Sequence, residues 1–281
     1  MDKAPEYVVI GHVSKDLLPS GDFCIGGTAT YAALAAERLG LCVGILTSAE
    51  ETFPFIPDGR DIAVQLQPAP ATTTFENIYS DGTRRQYIRA IARPLTPAHL
   101  PPSWNQAKII HLGPIAQEVD ISLVELFPRA FLGVTPQGWL RRWDASGLVH
   151  PADWPEAEHV LARADAVVLS SEDLTGRAQL SIFIRYAKLL VLTIAEKGAI
   201  VYQKGQERHV PAYHVPVVDP TGAGDVFAAA YFIRYRETGD AIEAARFANS
   251  AASFVVEGMG ASNFPSRAQV LWRMRHGRLR D

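Results

Sequence analysis

The chain has 281 residues, 48% of them hydrophobic and 20% charged, with a formal net charge of −3. That is enough apolar material for one large α/β domain or two modest ones, and the charge gives no electrostatic footing for nucleic acid or an anionic membrane. Cys24 and Cys42 cannot build a disulfide framework and have no neighbouring Cys or His at zinc-ligand spacing, so both are expected to be reduced core thiols.

In chain order, Met1–Glu6 carries three charges and a proline, which does not read as a signal peptide. The most apolar runs, Val8–Ile10, Ala166–Leu169 and Leu189–Ile194, fall far short of the roughly 20 residues that cross a bilayer, so a cytoplasmic protein is expected. Tyr7–Ile10 reads as a strand ending in Gly11, Thr28–Leu39 as a helix opened by Gly26-Gly27 and closed by Gly40, and Leu41–Leu46 as the next strand. Strand, helix, strand begins a βαβ unit. From Ala63 to Ile91 the pattern changes to β-like runs, Thr72–Tyr79 and Gln86–Ile91, with the Asp81-Gly82 hairpin signal between them.

The alternation then resumes. Ile109–Leu112 and Phe131–Val134 read as strands around a helix at Ile121–Ala130, and a helix at Glu156–Ala164 precedes strands at Ala166–Leu169 and Leu189–Ile194. Ala199–Gln203 and Glu207–Val210 form a hairpin pattern, and Gly222–Tyr235 and Ala241–Val256 read as consecutive helices. No repeat and no linker separates two domains, so one α/β domain with a small β insertion is expected.

The chemistry concentrates in Asp219-Pro220-Thr221-Gly222-Ala223-Gly224-Asp225. Pro220 keeps Asp219 out of helix, Thr221 is a suitable N-cap, and the glycines let backbone approach a ligand. Val226, Ala229, Ala230 and Ile233 then keep helical spacing. A glycine-rich turn feeding a helix N-terminus presents unpaired N–H groups and the positive end of the helix dipole, which suits a phosphate or a phosphoryl group in flight. Asp225, in the first turn, either compensates that dipole or takes a proton as a general base. No P-loop, dinucleotide fingerprint, hydrolase elbow or His-Glu-x-x-His pattern is present. Lone histidines such as His12, His111 and His214 read as structural, with His12 given slightly more weight for its place in the expected substrate loop.

The Asp219–Asp225 string closely resembles the C-terminal signature of the ribokinase family, the PfkB carbohydrate kinases, in which that aspartate is the base. Gly11-His12-Val13-Ser14-Lys15-Asp16 and Gly26-Gly27 resemble the family's N-terminal elements. The resemblance implies a ribokinase-like α/β fold, a mostly parallel sheet flanked by helices, spanning 1–281 as a single domain. A small β lid would be built from segments near 12–25 and 63–92, hinged at the glycine pair.

The activity implied is phosphorylation of a sugar or polyol hydroxyl by ATP with Mg²⁺. Asp225 would be the base, and Gly222, Ala223 and Gly224 the anion hole. Asp16, Gly26, Gly27, Thr28, Asn77 and Gln137 would meet the acceptor, with Arg84 or Arg85 of the lid a further contact. The nucleotide side would use Thr193, Ala195 and Gly198, then Thr221, Gly222 and Gly224, and around adenine Ala248, Asn249 and Ala252.

Four positions depart from the family pattern. Ala195 replaces a glycine; Ser170 and Asp173, with Glu172 adjacent, replace the Asn and Glu that arrange magnesium-bound water; Tyr31 replaces an Asn that touches the sugar. The Gly11–Asp16 loop, the Ala/Thr-rich start of the first helix and Pro136-Gln137-Gly138-Trp139-Leu140-Arg141 resemble the small inositol-kinase-like branch, so a cyclic polyol such as myo-inositol is the expected acceptor. A nucleoside, a simple monosaccharide or a non-catalytic sugar sensor are the alternatives, and a monomer or a lid-mediated homodimer fits equally.

Overall fold

The computed structural model describes residues 4–54, 62–80 and 83–280. The chain runs β1 (Tyr7–Ile10), β2 (Ser14–Leu17), β3 (Phe23–Gly26), α1 (Thr28–Arg38), β4 (Val43–Ala49), β5 (Ile62–Pro68), β6 (Thr73–Ser80), β7 (Thr83–Ala90), β8 (Ile109–Leu112) and β9 (Phe131–Val134). It continues through β10 (Arg141–Trp143), β11 (Val149–Pro151), α2 (Ala157–Arg163), β12 (Ala166–Ser170), α3 (Arg177–Tyr186) and β13 (Leu189–Thr193). It ends with β14 (Ala199–Gln203), β15 (Gln206–Val210), α4 (Ala223–Thr238), α5 (Ala241–Val255) and α6 (Arg267–His276).

Nine strands form one sheet in the order β15-β14-β13-β12-β9-β8-β1-β4-β5. The pairs from β5 to β13 are parallel, and β14 and β15 finish the edge antiparallel. β1 is buried at every position. Tyr7 and Val9 join the core formed with α1, α4 and α5, while Val8 and Ile10 join the core formed with Leu123, Val160 and Leu161 on the other face. A strand covered on both faces needs apolar side chains throughout rather than alternation. α4 is buried from Val226 to Ile233 because it lies against the sheet with α1 and α5 beside it.

The strand order reverses at β1, which pairs with β4 on one side and β8 on the other. Such a reversal leaves a crevice beyond the carboxyl ends of the strands, where open α/β sheets bind ligands. Gly11 and Gly113 follow β1 and β8 at that crevice.

A second sheet, in the order β3-β2-β6-β7, stands over it. β2 pairs antiparallel with β3 and parallel with β6, and β6 and β7 form the expected hairpin, whose Asp81-Gly82 turn lies outside the described residues. Phe75 and Ile88 of this sheet pack on Ile115 and Ala116, in the loop that follows β8.

Several expectations are corrected. Ile62–Pro68 belongs to the large sheet, paired with β4, rather than to the insertion. The helix expected at Ile121–Ala130 is a short 3₁₀ turn, Ile121–Glu125, because Pro128 disfavours helix in the residue before it. Cys24 is exposed and Cys42 half-buried, so neither is a core thiol. His111, by contrast, is structural as expected: it is sealed between the Tyr7 hydroxyl at 2.7 Å and Thr135 Oγ1 at 2.9 Å. Burial pushes its pKa down to about 3, so it stays neutral. No helix among the described residues is long and apolar enough to cross a membrane.

Candidate active site

Asp225 occupies the first turn of α4. Its Oδ1 accepts a 2.6 Å hydrogen bond from Thr28 Oγ1, which opens α1 at the other end of the chain. Burial pushes the Asp225 pKa up to about 6. The Thr28 hydrogen bond and the Arg141 charge pull it down, and the Asp173 and Asp16 charges push it up. One cation and three carboxylates therefore converge on the crevice. Separately, the N-cap of α4 is Gly222, at φ 76°, and not Thr221, which is exposed. Ala223 N–H is already turned to Pro220 O at 3.2 Å. The N–H groups of Gly224 and Asp225 belong to the first helical turn, which offers them no intrahelical acceptor.

Asp16 lies on β2, where Ser14 Oγ donates to its Oδ1 at 3.2 Å. A Cβ at Gly26 would stand 2.3 Å from Asp16 Oδ2, so a side chain there would have to push this carboxylate aside. Register sets which residues share its face. Asp16 pairs with Phe75, and Asn77, two residues on, pairs with Gln86. Gln86 Nε2 donates to Asn77 Oδ1 at 3.1 Å. Arg85 pairs with Ile78 and so takes the opposite face, away from Asp16; the Arg84 side chain lies outside the described residues. Gln137 Nε2 donates to Asp173 Oδ1 at 3.2 Å, joining the expected acceptor and metal sides.

On the expected nucleotide side, Thr193 ends β13 and donates to Leu169 O at 3.3 Å. Ala195 has φ 51° and Gly198 φ 99°, so the turn keeps a left-handed backbone although alanine replaces glycine. Ala248 is sealed in the core of α4 and α5 and contributes packing, not a ligand surface. Asn249 Nδ2 is taken by Val210 O and Pro211 O at 3.0 and 3.1 Å; Ala252 is partly buried beside it. Asp219 organises the approach, accepting from Thr221 N–H and Gly260 N–H, each at 2.9 Å.

No cluster of three metal-ligating side chains occurs among the described residues. Asp173 is held by Ser170 N–H at 3.3 Å and by Gln137, and Glu172 is exposed. One oriented carboxylate at a cleft does not make a protein cage, but it fits Mg²⁺, which keeps most of its own waters.

Residues 155–268 match the model of the pfkB family carbohydrate kinases. The cytidine kinase of Thermococcus kodakarensis is 30% identical over 252 residues, covering 82% of this chain and 88% of that enzyme. The chain belongs to the pfkB family of carbohydrate kinases. The fold agrees. A pyrophosphate-dependent kinase of the ribokinase family, in a sulfate complex, superposes with a TM-score of 0.78 at 25% identity, over 95% of this chain and 99% of that one. A pyrophosphate-dependent kinase of that family complexed with a pyrophosphate analog and myo-inositol superposes at 0.76 with 26% identity, over the same shares. As a pfkB-family kinase, the protein is a phosphotransferase with an alcohol acceptor, of the sugar and nucleoside kinase class. Two features of this family member's crevice were not singled out from sequence. Arg141 was visible at the end of the Pro136–Arg141 segment, whereas Gln86 is marked only by its cross-strand register with Asn77.

Proposed function

We propose that this kinase transfers a phosphoryl group from Mg·ATP to a hydroxyl of a small cyclic polyol, with myo-inositol the preferred acceptor. The observation that carries the reading is the Asp225 carboxylate at the start of α4, fixed by Thr28 and facing Asp16 across the crevice. With a pKa of about 6 it is ionised at neutral pH and close enough to that pH to take a hydroxyl proton and release it. Asp16 and the Asn77–Gln86 amide pair hold vicinal hydroxyls. Gly224 and Asp225 N–H groups and Arg141 face the transferring phosphoryl oxygens. Asp173 and Glu172 orient the water shell of Mg²⁺, which when bound offsets charge on the donor phosphates. Thr193, the Ala195–Gly198 turn and Asn249 border the donor. The second sheet acts as a lid over a single domain, keeping water from the donor.

Likeness to a kinase complexed with myo-inositol supports the acceptor. The same likeness favours a second reading of the donor, pyrophosphate, and the identity with a cytidine kinase favours a second reading of the acceptor, a nucleoside. A grid of ATP and pyrophosphate against myo-inositol, ribose, fructose and cytidine, with Mg²⁺, separates them. The highest kcat/KM is expected for ATP with myo-inositol. A higher value with another pair reassigns donor or acceptor, and no turnover with any pair sinks the reading.

The Thr28 hydrogen bond favours the ionised form of Asp225, so Thr28→Val raises that pKa. The base acts when ionised, so activity rises with pH through about 6 in the native enzyme. In the variant the rise moves to higher pH by about 1 unit, the scale of one charge-assisted hydrogen bond. A kcat/KM profile with an unmoved acid limb would remove Asp225 as the titrating base.

A further inference from the structure

Glu118 is an acid buried in a loop, 3% exposed. Its carboxylate accepts from three backbone N–H groups. His12 N–H reaches Oε1 at 2.8 Å, Ile115 N–H is shared between both oxygens at 3.0 Å, and Ala116 N–H reaches Oε2 at 2.6 Å. A carboxylate sunk in protein is expensive unless its oxygens are satisfied, and N–H groups from two loops satisfy it only while those loops stay together. One loop follows β1 and leads to Asp16. The other follows β8 and carries Ile115 and Ala116, on which Phe75 and Ile88 of the small sheet rest. The second loop is also strained, with Gln117 at φ 60°.

His12 completes the connection. Its ring is fully buried. Nε2 lies 2.9 Å from Arg93 O, which can only accept, so Nε2 carries the proton. Nδ1 then accepts from Thr73 Oγ1 at 2.7 Å, and Thr73 Oγ1 accepts from Ala92 N–H at 3.0 Å. Thr73 is the first residue of β6, and Ala92 and Arg93 follow the end of β7. A single ring thus holds both roots of the hairpin, while its own backbone is held by Glu118.

We propose that His12 and Glu118 form one positioning device that sets the small sheet against the crevice and thereby places Asp16, without touching the reacting atoms. The catalytic consequence rests on the acceptor role proposed for Asp16; the mechanical one does not. Three proteins decide it: the native enzyme, Thr73→Val, which removes the hydroxyl at nearly constant shape, and Glu118→Gln, which turns an amide donor toward N–H groups. Amide hydrogen exchange is read in all three. Exchange is expected to rise at least ~10-fold in residues 12–17, 73–79 and 84–92 and to stay unchanged in β12 and β13. Uniform acceleration, or none in those segments, overturns the device whatever the activity. In kinetics the acceptor KM should rise about 5- to 10-fold with the donor KM unchanged, and more donor should be hydrolysed per acceptor phosphorylated. Equal changes in both KM values with the expected exchange pattern would overturn the acceptor role of Asp16 and leave the device standing.

Discussion

Asp225→Asn is expected to lower kcat by at least ~10²-fold and at the same time to raise the melting temperature. The first effect is that of losing the proposed general base, since an amide cannot take the hydroxyl proton. The second follows from linkage. The folded-state pKa is raised from 3.8 to about 6, so the fold prefers Asp225 protonated. The stability that comes with the neutral carboxyl is fully present below pH 4, where the unfolded chain is protonated too. It is lost as pH rises through 6. About 2 units correspond to at most about 3 kcal/mol at 1.36 kcal/mol per unit. Asp225 is partly open to the crevice, and water there reduces the penalty, so about 1–3 kcal/mol is expected. Asparagine stays neutral at every pH and keeps an oxygen for Thr28. Its advantage should therefore be greatest above pH 7 and vanish near pH 4. Paired thermal melts and initial rates at pH 4.5 and 7.5 test both halves. A slower enzyme that is also less stable at pH 7.5 would point to a disturbed α4 rather than a missing base.

The same residues show where sequence reasoning reached and where it stopped. Tyr7–Ile10 and the Leu189–Leu192 part of Leu189–Ile194 were legible because a strand covered on both faces is apolar throughout. α6 gave no such signal: Val270 alone is buried along it and Trp272 is 57% exposed, so no apolar stripe marks it as a helix. In α3 only Gln179 and Phe183 are buried. β2 reads Ser-Lys-Asp-Leu, four residues with no strand character of their own. It is a strand because β6, some sixty residues later, pairs with it.

In the crevice, local chemistry marked the Gly222–Asp225 turn as a candidate anion site, but no spacing rule joins it to Thr28, 197 residues away. Family resemblance suggested both ends, and the fold supplies their contact. Glu118 was illegible for a different reason: a loop glutamate looks solvated until its N–H partners are in place.

The Tyr31 ring, which stands where the family pattern has asparagine, lies against Gly222, and substitution of the pair carries the second large effect. Gly222 has φ 76°, and a Cβ there would lie 2.1 Å from Tyr31 Cδ1 and 2.3 Å from Cε1. The ring has no room to retreat: Tyr31 is 2% exposed, with Phe264 beside it at 6.2 Å between centroids. Gly222→Ala must therefore displace the ring or the turn. Overpacking of this kind costs about 1–3 kcal/mol, and a side chain at positive φ adds about 1 kcal/mol. The turn also bears Asp225, and a shift near 1 Å at a reacting group lowers turnover about 10²-fold. Tyr31→Ala removes the obstacle and leaves a cavity. In the double variant the methyl group enters that space, so the clash disappears while the backbone strain persists. Stability and kcat/KM should both recover in part, with a coupling energy of about 1–3 kcal/mol, the range seen for residues in direct contact. Losses that simply add would show that the ring does not limit the turn. Full recovery would show that the left-handed backbone at this position carries no strain for alanine.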